Sequence, residues 1–119
     1  EKLNADLLVS IHCNGEIPSA YGQETWYRKE GSKSLAECLQ RNLVDGIDGK
    51  YLTNDRGVKQ KNWAVLNTDI PAALVELGFL TNSVHPGYTT GGDIGYLTDD
   101  VQDVEKGIAK GIQEYFSKG

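Results

Sequence analysis

The feature that most limits how this chain can fold is the run A-A-L-V-E-L-G-F-L, Ala72 to Leu80, bounded by Pro71 and Asn82 and interrupted by one charge, Glu76. A nearly continuous apolar run of that length fits a strand covered on both faces, not a solvated edge, which would alternate. An unpaired carboxylate in such a setting is costly. Glu76 is therefore expected to meet a cation, to accept strong hydrogen bonds or to keep its proton. Two uses fit that description. A structural glutamate pairs with a buried Arg or Lys or points outward at the strand end, whereas a catalytic one moves protons beside a bound metal. The run alone leaves both open.

Size and charge narrow the function classes. At 119 residues the chain is one domain, able to bury roughly two-thirds of its unfolded surface. Fourteen glycines against 8% aromatic residues imply many turns around a modest core. A net charge of -5 with no basic stripe argues against a nucleic-acid partner, because nothing displaces the counterions. Cys13 and Cys38 do not form a C-x-x-C pair, so neither a redox motif nor a zinc knuckle is indicated, and nothing requires a disulfide between them. No stretch approaches the ~20 apolar residues of a membrane span. The chain opens at Glu1 without Met or a signal peptide, as mature processed proteins and fragments both do.

Taken in order, Leu7 to Ile11 reads as a short strand ending at His12-Cys13-Asn14-Gly15, with a loop from Glu16 to Gly22. Alternation points His12 away from the side of Ile11 and Cys13. A histidine where a strand gives way to a loop is either a ligand or a hydrogen-bonded structural residue. Gln23 to Arg28 is rich in β-formers and reads as a second strand. A helix follows, with Ser34-x-x-Glu37 or Ser32 as its cap, an apolar stripe of Leu35, Leu39 and Leu43 flanked by Ala36 and Cys38, and Gly46 and Gly49 as its stop.

Asp48 to Asn62 is polar and reads as a solvated loop that includes Lys59 and Lys61; Arg56 pairs with Asp55 or faces an anionic ligand. Trp63 to Leu66 reads as a third short strand, followed by a turn through Asn67-Thr68-Asp69 into the Glu76 strand. Ser83 to Leu97, with His85, Tyr88 and Tyr96, lacks any period and reads as a long loop. The last helix is capped by Asp99 or Asp100 and places Val101, Val104, Ile108, Ile112 and Tyr115 on one face. Gly107 and Gly111, four apart, allow that helix to approach the sheet closely.

Three segments then coincide in order and spacing with one family. S-I-H-C-N (Ser10 to Asn14), D-R-G-V-K (Asp55 to Lys59) and P-A-A-L-V-E-L-G-F-L-T-N (Pro71 to Asn82) resemble the catalytic domain of zinc-dependent N-acetylmuramoyl-L-alanine amidases, the type 3 amidase family of bacteria and their phages. The resemblance implies an α/β fold, a twisted mixed sheet flanked by helices. It also implies a hydrolase that cuts the amide between N-acetylmuramic acid and L-alanine of peptidoglycan, working in the cell wall, the periplasm or outside the cell. His12 matches the family's second zinc-binding histidine and Glu76 its catalytic glutamate. Asn14 and Arg56 are weaker candidates for substrate binding, with structural hydrogen bonding the favoured use of each.

The same resemblance exposes a departure. The family carries its first zinc histidine and a glutamate ligand on an N-terminal segment that also supplies the first strand and a helix. Residues 1–11 hold no histidine and only Glu1 and Asp6 as acids. Catalytic zinc ordinarily needs three protein ligands and an open position; His85 is a remote substitute. Residues 1–119 are thus expected to be roughly the C-terminal two-thirds of an amidase catalytic domain. The alternative is an inactive relative that binds wall material or a partner. In either case a sheet lacking its first strand offers an edge for self-association or for completion by the missing segment.

Overall fold

The computed structural model describes residues 4–15, 20–47, 51, 54–81 and 92–118. Its elements are β1 (Leu8–Asn14), β2 (Gln23–Tyr27), α1 (Lys33–Ile47), β3 (Asp55–Gln60), β4 (Ala72–Phe79), α2 (Asp93–Asp99) and α3 (Val101–Lys118), with 3-10 turns at Glu30–Ser32 and Ala64–Leu66. The strands form one mixed sheet in the order β1-β4-β2-β3. β1 is parallel to β4, β2 antiparallel to β4, and β2 parallel to β3. The α/β class expected from the sequence is what the chain adopts.

β4 lies inside the sheet, and most of its residues are buried on either side. That position explains why its sequence does not alternate. On one face, Ala73 and Val75 join Tyr27 and the α1 stripe of Leu35, Ala36, Leu39 and Leu43, with Val104 of α3, in the main core. On the other, Ala72 and Leu74 pack with Leu66, Leu8, Trp26 and Trp63. The apolar Trp63–Leu66 stretch is therefore not the strand that its composition suggested. It forms a 3-10 turn because it covers the second face of β4 instead of joining the sheet.

The two long helices touch backbone to backbone. A Cβ at Gly107 would lie 2.9 Å from Asn42 O and Leu43 Cα, and one at Gly111 only 2.8 Å from Leu39 Cα. The close approach that these glycines permit is thus to α1, not to the sheet. Gly46 is part of the same contact, with its added Cβ 2.9 Å from Asp103 O, and α1 ends one residue later, at Ile47. Gly49 lies outside the described residues.

Other expectations also need correction. The polar stretch read as a loop contains the edge strand β3, which faces the core on one side only and so needs few apolar residues. β1 continues past Ile11 to Asn14, which puts His12 within the strand. Ser34 sits inside α1, and the hydroxyl of Ser32 accepts the Ala72 N–H at 3.0 Å. Part of the expected long loop is α2, whose Gly95 leaves room for the Tyr51 ring. Residues 83–91, with His85 and Tyr88, lie outside the described residues.

α2 ties the end of β4 to the start of β2. Buried Asp93 accepts the N–H groups of Gly22 at 2.7 Å and Phe79 at 2.8 Å through a single oxygen, Oδ2. The Tyr96 hydroxyl donates to Leu77 O at 2.6 Å and accepts from Gln23 Nε2 at 2.9 Å. Burial, reinforced by the charge of Asp93, pushes this hydroxyl far above its ordinary range, so it remains a donor. Asp93→Ala strands two buried N–H groups and is expected to cost about 2–4 kcal/mol. In urea, the unfolding midpoint should fall with the slope unchanged.

Candidate active site

Register places the chemistry. His12 of β1 is opposite Glu76 of β4, and Glu76 is opposite Glu24 of β2. Paired residues on adjacent strands share a face, so the three side chains form one row across the sheet. Ser10, Leu74, Trp26 and Lys59 form the next row, on the same face. Here the cover provided by Trp63 and Leu66 ends, and a cleft of about 310 Å³ opens between Asn14, Glu24, Trp26, Arg56, Lys59, Lys61, Trp63 and Glu76.

His12 is exposed, with Nε2 2.8 Å from Ser10 Oγ. Its other ring nitrogen has no partner among the described residues. Glu76 is half-buried, and its Oε1 is sequestered without a hydrogen bond from any of the described residues. Burial pushes the Glu76 carboxyl above the usual carboxylate range; His12 opposes the shift and the charge of Glu24 adds to it. Glu24 behaves oppositely. Burial would raise it, but hydrogen bonds from Arg56, Lys59 and Trp26 outweigh that and hold it below the ordinary range.

The direction at Glu76 has a consequence for stability. Its native pKa lies above the unfolded value, so the folded state binds this proton more tightly. Below about pH 4, the unfolded carboxylate range, both states are protonated and the group has no effect. As pH rises through the window up to the raised native value, ionisation increasingly disfavours the fold. Metal-free Glu76→Gln is therefore expected to be more stable than the parent at pH 7. The gain should vanish by pH 3.5 in thermal unfolding followed across that range.

All four residues singled out in the sequence, His12, Asn14, Arg56 and Glu76, lie toward this face. Two local expectations fail. Arg56 pairs with Glu24, not Asp55, through Nε at 2.8 Å. Asp55 Oδ1 instead accepts from Gln40 Nε2 at 2.7 Å and from the Gly57 N–H at 2.9 Å. Lys59 is not a solvated loop residue but meets Glu24 Oε1 at 2.7 Å. Glu24, Trp26 and Trp63 were missed. Glu24 and Trp26 were detectable as a charge and an indole two apart in a strand, hence on one side of it.

Whether these groups suit a zinc ion is a matter of donor count. An open imidazole nitrogen fits one ligand, and the unpartnered Glu76 oxygen fits a neighbouring base. Among the described residues no group of three or more His, Cys, Asp or Glu is placed to hold a metal ion. Cys13 and Cys38 are free thiols, one exposed and one buried. His12 and Glu76 therefore fit part of a catalytic zinc site, which needs further ligands.

The sheet is that of a known enzyme class: the family model Amidase_3, N-acetylmuramoyl-L-alanine amidase, matches residues 1–114, and the chain belongs to that family. Among particular proteins, it is 34% identical over 119 residues to the probable cell wall amidase LytH of Staphylococcus epidermidis, covering 97% of this chain and 37% of that protein. Two solved structures share the fold. The catalytic domain of CwlV, an N-acetylmuramoyl-L-alanine amidase from Bacillus (Paenibacillus) polymyxa var. colistinus, matches with TM-score 0.80 and 32% identity over 98% of this chain and 60% of that one. An N-acetylmuramoyl-L-alanine amidase from Clostridium difficile 630 matches with TM-score 0.79 and 36% identity over 98% and 60%. The chain thus spans well under half of the curated relative and about three-fifths of each solved domain.

Proposed function

We propose that the protein carrying this chain hydrolyses the amide between N-acetylmuramic acid and L-alanine of peptidoglycan, with His12 as one zinc ligand and Glu76 as general base. The observation that supports this most strongly is the in-register pairing of His12 and Glu76 on adjacent parallel strands, with an acceptor oxygen of Glu76 left unpartnered. A bound zinc ion supplies carbonyl polarisation and a water of lowered pKa. Glu76 takes the proton of the attacking water and returns it to the departing amine, a role open to a half-buried carboxyl in the cleft wall. Ser10 holds the His12 ring, and Asn14 and Arg56 bind the substrate from the cleft walls.

The remaining zinc ligands, in this proposal, arrive on a segment that adds to the edge of β1. Beside that edge, Ile11, 54% exposed, forms an apolar groove of about 400 Å³ with Leu77, Val101, Val104, Ile108 and Ile112. That groove gives an added strand or helix a surface to cover. The work then takes place in the bacterial wall or outside the cell. No helix among the described residues is long and apolar enough to cross a membrane.

The test is mass spectrometry of purified walls treated with zinc-loaded protein that carries its upstream segment. Free L-alanyl amino termini together with intact glycan strands support the amidase. Binding to walls with no new amino termini would instead mark an inactive wall-binding relative.

A further inference from the structure

Beyond Glu76, on the side away from His12, the cleft is lined by donors that the proton-transfer chemistry does not use. Arg56 and Lys59 are three apart, so a regular strand would send them to opposite faces. The β2–β3 register shifts between Gln23 and Thr25, where Gly57 adopts φ +82°. This bulge turns Arg56 to the face of Lys59. Both then reach Glu24 Oε1, at 2.8 Å and 2.7 Å, while Trp26 Nε1 donates to Glu24 Oε2 at 2.9 Å. Glu24 is 5% exposed, so its charge is held in place and two cations share it.

The guanidinium is fixed but not saturated. It lies 4.8 Å over the Phe79 ring and meets Glu24 through Nε alone. Its two terminal amino groups, the fork that matches a carboxylate, have no partner among the described residues. Nearby, Lys61 Nζ sits 4.5 Å over the Trp63 ring. The oriented fork and the Lys59 ammonium therefore line the same cleft, two strands from Glu76, with the Trp63 ring as one wall.

We propose that Arg56 and Lys59 form a subsite for a carboxylate on the peptide side of the substrate, so that the protein selects acidic stem peptides over amidated ones. Glu24 is the positioning residue that presents the fork. This deepens the amidase reading and rests on it. β3 lies two strand spacings, about 10 Å, from β4, which sets the carboxylate one or two residues beyond the amide that Glu76 serves.

The experiment uses two synthetic muramoyl peptides that differ only in whether the second residue carries a free carboxylate or a carboxamide. Calorimetry on the protein with its upstream segment, left metal-free so that neither is turned over, should show the acid bound about tenfold or more tightly. Added salt should weaken that preference. Arg56→Ala should abolish it and Arg56→Lys retain part of it. Equal affinity for the two forms in the unsubstituted protein overturns the subsite, and so does a preference unchanged in folded Arg56→Ala. If walls are cut at the muramoyl-alanine bond but the two forms bind alike, only the subsite fails. If no such cleavage occurs, the amidase reading fails separately.

Discussion

Replacing Glu76 by glutamine is expected to slow cleavage of the muramoyl-alanine amide about 1,000-fold in the zinc-loaded protein, with little change in substrate affinity. Glutamine keeps the volume and the β4 packing but cannot accept the proton of the attacking water. Among the described residues the carboxylate has no hydrogen bond at Oε1 to lose, so the fold should persist. Loss of rate with gain of metal-free stability is the combination that separates a catalytic glutamate from a structural one, whose removal would weaken both. A rate within about tenfold of the parent would remove Glu76 from the reaction.

The second large effect concerns the helix pair. Gly107→Val is expected to destabilise the protein by about 3 kcal/mol or more, because the new side chain meets the Asn42 and Leu43 backbone and not a movable side-chain tip. In thermal unfolding this corresponds to a drop of about 10 °C. Gly31, with nothing within 4 Å of an added Cβ, is the matched control, and Gly31→Val should lower the midpoint far less. Equal effects at the two sites would mean that α1 and α3 are not held at this close distance.

Much of the positioning scaffold was legible in the residues because periodicity reports burial. The unbroken apolar run identified β4 as interior, and the Leu35, Leu39, Leu43 stripe identified α1. What failed depended on partners distant in sequence. β3 is polar because it lies at an edge, with its outward side chains facing a cleft, and composition alone makes such a strand look like a loop. Trp63 to Leu66 is apolar for tertiary reasons, as a lid over Leu74, and so imitates a strand. In the site, His12 and Glu76 emerged from motifs, but Arg56 could not be assigned to Glu24 without the bulge at Gly57. Nothing local distinguishes that glycine from an ordinary turn.

The most direct measurement is anomalous diffraction at the zinc edge from crystals of the zinc-loaded protein with its upstream segment. A peak about 2.1 Å from a His12 nitrogen, with Glu76 one water molecule away and not itself bound, is the predicted result. A peak remote from His12, or one with Glu76 directly coordinated so that no base remains, would contradict it.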